Sequence, residues 1–99
     1  MELPIQVDEA RIGAFCQKHH LTKLALFGSV LTDRFGPESD VDVLFEYDPT
    51  HIPTLLDVVG MEEELSEILG RKTDMRSPGD LSHFFRDEVV RTALVQYAA

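Results

Sequence analysis

Cysteine occurs once, at Cys16, and tryptophan not at all. A lone cysteine excludes an internal disulfide and a thiolate zinc site, and it suits a reducing compartment, so a cytoplasmic location is expected. No run approaches the roughly 18 apolar residues of a membrane span, and no membrane association is expected. The start MELPIQVDEAR is too acidic and too poor in apolar residues for a signal peptide. Basic residues are scarce: 9 Lys+Arg stand against 18 Asp+Glu, a formal net charge of −9. Gripping nucleic acid through its phosphates needs clustered Lys and Arg to release counterions, so direct nucleic-acid binding is not expected. Metal cations or a basic partner fit that balance better. The four histidines, His19, His20, His51 and His83, are scattered without ligand spacing, and neither an internal repeat nor a low-complexity stretch is present.

What is present suits one domain over residues 1–99, with 43% hydrophobic residues for a single modest core of a few kcal/mol net stability. Ile12, Phe15 and Cys16 fall at i, i+3 and i+4 behind a capping Asp8, which predicts a helix over 8–19 closed by His19-His20. The apolar run Leu24-Ala25-Leu26-Phe27 predicts a buried strand over 23–27 that enters a tight turn at Gly28-Ser29, with a short helix through Val30 and Leu31. After the turn-rich stretch 33–39, residues 40–46 read as a second strand. Thr54 and Asp57 resemble a capping box opening a helix that continues through Leu65, Ile68 and Leu69. Gly70 is placed as its C-terminal cap, with Arg71 and Lys72 beside the negative end of its dipole. A short third strand is expected over 72–76. Asp80 is then expected to cap a C-terminal helix whose stripe is Val90, Ala93, Leu94 and Tyr97. The order αβ(α)βαβα predicts an α/β or α+β fold, a small mixed sheet of about three to four strands flanked by helices.

Asp40 and Asp42, two apart on a predicted strand, send their carboxylates from one face. Two carboxylates held together repel, and a proton or a cation must relieve them; for hard oxygen donors that cation is Mg²⁺, which takes one or two carboxylates plus substrate phosphates. Taken alone, the pair reads first as exposed acids on an edge strand, with Val41, Val43 and Phe45 facing the core. Gly28-Ser29 changes the balance. A glycine lets backbone approach a phosphate, the N-terminus of the short helix that follows offers free N–H groups, and the Ser hydroxyl adds a donor. Ten residues, Val30 to Ser39, separate Ser29 from Asp40, and both ends sit on apolar strands.

The segment Leu26-Phe27-Gly28-Ser29 through Ser39-Asp40-Val41-Asp42-Val43 resembles the defining motif of the polymerase-β-type nucleotidyltransferase superfamily, and the short chain resembles its minimal branch. Leu69-Gly70-Arg71-Lys72-Thr73-Asp74-Met75 is similar to that family's third strand, where a further acid completes a triad. The resemblance implies the nucleotidyltransferase fold, with Asp40, Asp42 and Asp74 as catalytic and metal-binding acids. It also implies Gly28 and Ser29 as the nucleotide-binding pair, two Mg²⁺ ions as cofactor, and ATP as donor of AMP. Members of that branch are antitoxins encoded beside a HEPN-class RNase toxin; the resemblance thus implies AMP transfer to a toxin tyrosine and a hetero-oligomer with it. Two alternatives stand beside this reading: an acidic module that neutralises its partner by contact alone, and a transferase acting on a small hydroxylated molecule.

Other residues read more plainly. Arg34 is expected to be a solvated loop side chain, Arg76 a better candidate for touching substrate. The run Glu62-Glu63-Glu64 with Glu67 is expected to form a solvated helix face, and His83, Phe84 and Phe85 to pack. The stripe Val90, Ala93, Leu94 and Tyr97 is a candidate partner surface.

Overall fold

The chain alternates helices and strands for reasons largely written at its element boundaries, as a computed structural model describing residues 3–99 shows. Helix α1 (Glu9–Lys18) opens with the Asp8 carboxylate accepting from the Arg11 N–H at 3.2 Å and buries Ile12, Phe15 and Cys16. Strand β1 (Leu21–Phe27) follows, then a 3₁₀ turn over Gly28–Leu31 and strand β2 (Val41–Tyr47). Helix α2 (Leu55–Leu69) begins with a full capping box, in which the Thr54 hydroxyl accepts from Asp57 N–H and the Asp57 carboxylate from Thr54 N–H. It ends at Gly70, whose φ of 71° is the left-handed conformation that a helix stop requires. Strand β3 (Thr73–Arg76), a second 3₁₀ turn (Pro78–Asp80), helix α3 (Arg86–Thr92) and strand β4 (Leu94–Ala98) complete the order.

The sheet runs β3-β2-β1-β4, with β2 parallel to β3 and the other two pairs antiparallel. This is the expected small mixed sheet with helices, an α+β fold. One face, with Leu24, Leu26, Val41, Val43, Phe45 and Met75, meets Ile12, Phe15 and Cys16 of α1 and Met61, Leu65 and Leu69 of α2. On the other face Ala25 and Leu44 lie under Leu81, Val89, Val90 and Ala93. Among the described residues no helix is long and apolar enough to cross a membrane.

The C-terminal stretch departs from expectation. Helix α3 stops at Thr92, and Leu94 and Tyr97 lie on β4, paired with Leu26 and Leu24 of β1. A segment of five residues with one polar member cannot be told from a helix turn by spacing, and the outer edge of β1 supplies unpaired N–H and C=O groups that a Leu-Val-Gln-Tyr segment satisfies. Asp80 does not cap α3: its carboxylate accepts from Ser77 N–H and Oγ within the 3₁₀ turn, and α3 starts after Phe85 without a side-chain cap. Val90, Ala93 and Tyr97 pack on the two cores, so the predicted stripe is no free surface. Phe84 and Phe85, expected to pack, are exposed.

Candidate active site

At the end of β1 the chain must turn sharply, and Gly28 does so with a φ of 79°. Only glycine takes that conformation without strain, but close approach matters more here. A Cβ at Gly28 would overlap the Asp42 Oδ2 and lie 3.2 Å from its Cγ, so bare backbone rests on the carboxylate. The register explains it: Phe27 is paired with Asp42. Buried Val30 pins the turn into the core, and the Ser29 carbonyl accepts from Thr32 N–H and Oγ1, each at 2.9 Å. Ser29 is thereby held at the mouth of the turn, half-buried.

The acids come together from adjacent strands. Asp42 on β2 is the parallel register partner of Asp74 on β3, while Asp40 lies exposed one residue before β2 begins. Burial pushes the Asp42 carboxyl above its ordinary range, and the negative charges of Asp74 and then Asp40 push it further; the Arg76 guanidinium pulls the other way. Arg76 Nε donates to Asp74 at 3.1 Å, and Lys72 Nζ stands 4.0 Å from Asp40. Arg76, the better candidate for touching substrate, stands in an ion pair within the site, and Arg34 is an exposed loop residue. Among the described residues no three acidic, imidazole or thiol side chains are gathered into a ready ion cage. The donors present are hard carboxylate oxygens that repel one another, half-buried at Asp42 and Asp74 and exposed at Asp40. That set fits Mg²⁺, which is ordinarily completed by water and substrate phosphates rather than by an all-protein shell.

Three charged residues take roles other than those expected, and two of them, Glu62 and Arg71, support the site. Glu62 is not part of a solvated face: its carboxylate reaches the open edge of β3 and accepts from Met75 N–H at 2.7 Å, beside Asp74. Burial raises the Glu62 carboxyl and the Asp74 charge adds to it, against the Met75 hydrogen bond. Glu64 joins the helices, accepting from Lys18 at 2.5 Å with His19 Nε2 at 2.6 Å, and these contacts hold its carboxyl below the usual range. Arg71, rather than only lying near the α2 dipole, donates to the Gly36 and Ser39 carbonyls at 2.6 and 2.5 Å and covers the Phe35 ring at 4.3 Å. It ties down the spacer that delivers Asp40. Helical spacing carries a signal for Glu62 alone, since it shares a face with Val58, Leu65, Ser66 and Leu69.

A family model described as nucleotidyltransferase domain matches residues 11–97, a span that includes every residue of this constellation. A Methanocaldococcus jannaschii chain assigned as a protein adenylyltransferase is 29% identical over 77 residues, covering 78% of this chain and 81% of its own. A solved minimal nucleotidyltransferase structure superposes with a TM-score of 0.71 at 28% identity, over 87% of this chain and 86% of that one. A crystal structure of a toxin–antitoxin with AMP-PNP shares the fold, with a TM-score of 0.73 at 17% identity, over 94% of this chain and 75% of that one. By the match along its length and by the four-stranded mixed sheet it shares with a minimal nucleotidyltransferase, the chain belongs to the nucleotidyltransferase domain family.

Proposed function

We propose that this nucleotidyltransferase is an antitoxin-type protein adenylyltransferase, which moves AMP from ATP to a tyrosine hydroxyl of a HEPN-class RNase toxin and so silences it. The observation that carries the reading is the line Gly28, Asp42, Asp74 across β1, β2 and β3. It sets the bare backbone of Gly28 against one side of a repelled carboxylate and a second carboxylate on the other. Protein adenylyltransferase is the name assigned to the M. jannaschii relative, and a toxin–antitoxin holding an ATP analogue shares the fold.

In this mechanism the N–H groups of the Gly28 turn and the Ser29 hydroxyl donate to the β- and γ-phosphates, orienting the α-phosphorus. Asp40, Asp42 and Asp74 would hold two Mg²⁺ ions. Bound there, Mg²⁺ supplies charge neutralisation at the leaving pyrophosphate and acidifies the attacking hydroxyl. Asp74 takes the hydroxyl proton as the acceptor oxygen bonds to the α-phosphorus and the bond to the β-phosphate oxygen breaks. Arg76, bonded to Asp74, limits its rotamers. A binding-only module is the second reading, favoured by the Lys72–Asp40 and Arg76–Asp74 pairs, which balance two of the acids without any ion.

Intact-mass spectrometry tests the proposal on the protein encoded beside this one, incubated with this chain, ATP and Mg²⁺. A gain of one or more AMP units, absent with the Asp40→Asn, Asp42→Asn double variant, is expected. A stable complex without mass gain would leave the binding-only reading.

A further inference from the structure

Helix α2 buries Met61, Leu65 and Leu69, yet its opposite face also begins with apolar side chains. Leu55 is 81% exposed, Leu56 83% and Val59 44%, and Ile52 in the preceding loop is 70% exposed. Glu63 continues that face one turn beyond Val59. From this patch a cleft of about 470 Å³ runs to β3, lined among others by Tyr47, Leu55, Val59, Glu62, Asp74 and Arg76. Apolar patch and candidate catalytic acid are therefore continuous, on the side of Asp42 away from Gly28.

The charges around the patch are mainly negative. Asp57 and Glu63 flank it, and Glu62, Asp74 and Asp80 line the cleft. The nearby cations are engaged, Arg76 with Asp74 and, on the Leu56 side, Lys18 with Glu64. Such a rim repels a nucleic acid or an anionic lipid surface, and a second copy of this chain would bring the same acids against it. A polypeptide with an apolar centre and a Lys/Arg border is complementary.

We infer that Ile52, Leu55, Leu56 and Val59 seat the acceptor polypeptide, whose acceptor side chain reaches Asp74 along the Leu55–Val59–Glu62 cleft. The inference rests on the adenylyl-transfer reading for the acceptor's role, but the seat is tested by binding alone. Three forms of the full chain are titrated against the protein encoded beside it: wild type, Leu55→Glu with Leu56→Glu, and Phe84→Glu with Phe85→Glu. The last pair alters another exposed apolar site as a control, and MgATP affinity is measured in parallel. The expected result is a complex weakened on the order of 30-fold or more in the leucine variant alone, with MgATP affinity unchanged. Wild-type affinity in the leucine variant, a loss confined to the phenylalanine variant, or no complex with wild type would overturn the seat. If wild type binds without gaining AMP mass and the leucine variant fails to bind, the seat stands and the transfer reading falls. If the leucine variant still transfers AMP at wild-type KM for the partner, transfer stands and the seat falls.

Discussion

The backbone of Gly28 lies flat against the Asp42 carboxylate, closely enough that a single methyl group at position 28 would occupy the space of Oδ2. The left-handed φ of 79° adds a second penalty for any side chain there. Gly28→Ala should lower stability by about 2 kcal/mol, a Tm fall on the order of 10 °C. AMP transfer should fall further than folding explains, on the order of 100-fold, because the displaced carboxylate no longer meets its ligands. Thermal melts and transfer rates at a temperature where the variant is fully folded separate the two.

Asp42 binds its proton more readily in the fold than in the unfolded chain. Between its ordinary value of 3.8 and its raised value in the fold, the native state holds the extra proton, so this group's contribution to stability falls as pH rises through that window. Above the window the ionised carboxylate is a standing cost of the repelled cluster. Asp42→Asn should therefore raise the Tm of Mg²⁺-free protein at pH 7, with the gap to wild type narrowing as pH drops toward 3.8, while abolishing transfer. Added Mg²⁺ should raise the wild-type Tm more than the variant's.

Arg71 holds the spacer by two carbonyls and a ring face. Arg71→Ala should cost about 2–3 kcal/mol in urea unfolding and weaken MgATP binding by loosening the approach to Asp40. Lysine has no planar guanidinium to cover the Phe35 ring, so Arg71→Lys should recover only part of the loss.

Glu62 is the partner of an N–H on the open edge of β3. In Glu62→Ala the Met75 amide should exchange hydrogen faster by roughly fivefold to tenfold, with slower AMP transfer. Glu62→Gln keeps an acceptor oxygen and should preserve the protection. Amide exchange followed by NMR reads the difference directly.

Most of the fold is legible in the sequence because its signals are local. Asp8, Thr54 with Asp57, and Gly70 act where they stand, and the apolar runs of β1 and β2 need no distant knowledge. Strand β4 is not legible in this way, since what makes Leu94–Ala98 a strand is the unpaired edge of β1, some seventy residues earlier. Gly28, Ser29, Asp40 and Asp42 stand out as candidates because the spacing that relates them lies along strand and turn, whereas Asp74 is a candidate only through the resemblance of its strand to the family's third strand. The contacts of Glu62 and Arg71 were hidden for the opposite reason, even though helical spacing puts Glu62 on the apolar face. Their partners are backbone groups of Met75, Gly36 and Ser39, and a main-chain N–H or C=O leaves no mark on residue type. The exposure of Phe84 and Phe85 was hidden as well, because aromatic residues at a helix start are usually spent on packing.

The two halves of the site differ in how the chain assembles them. Gly28 and Asp42 meet through an antiparallel pairing of consecutive strands, whereas Asp74 reaches Asp42 only after the whole of α2 has been laid down and a four-residue edge strand has docked in parallel. Local pairings form early and survive longest, while short edge strands fray first. On the proposed mechanism, a chain partly loosened by heat or mutation would therefore keep the Gly28–Asp42 half, assigned to phosphate, after losing Asp74, assigned to the acceptor's proton. Its failure mode on that mechanism would be an idle, nucleotide-loaded protein rather than one that transfers AMP indiscriminately.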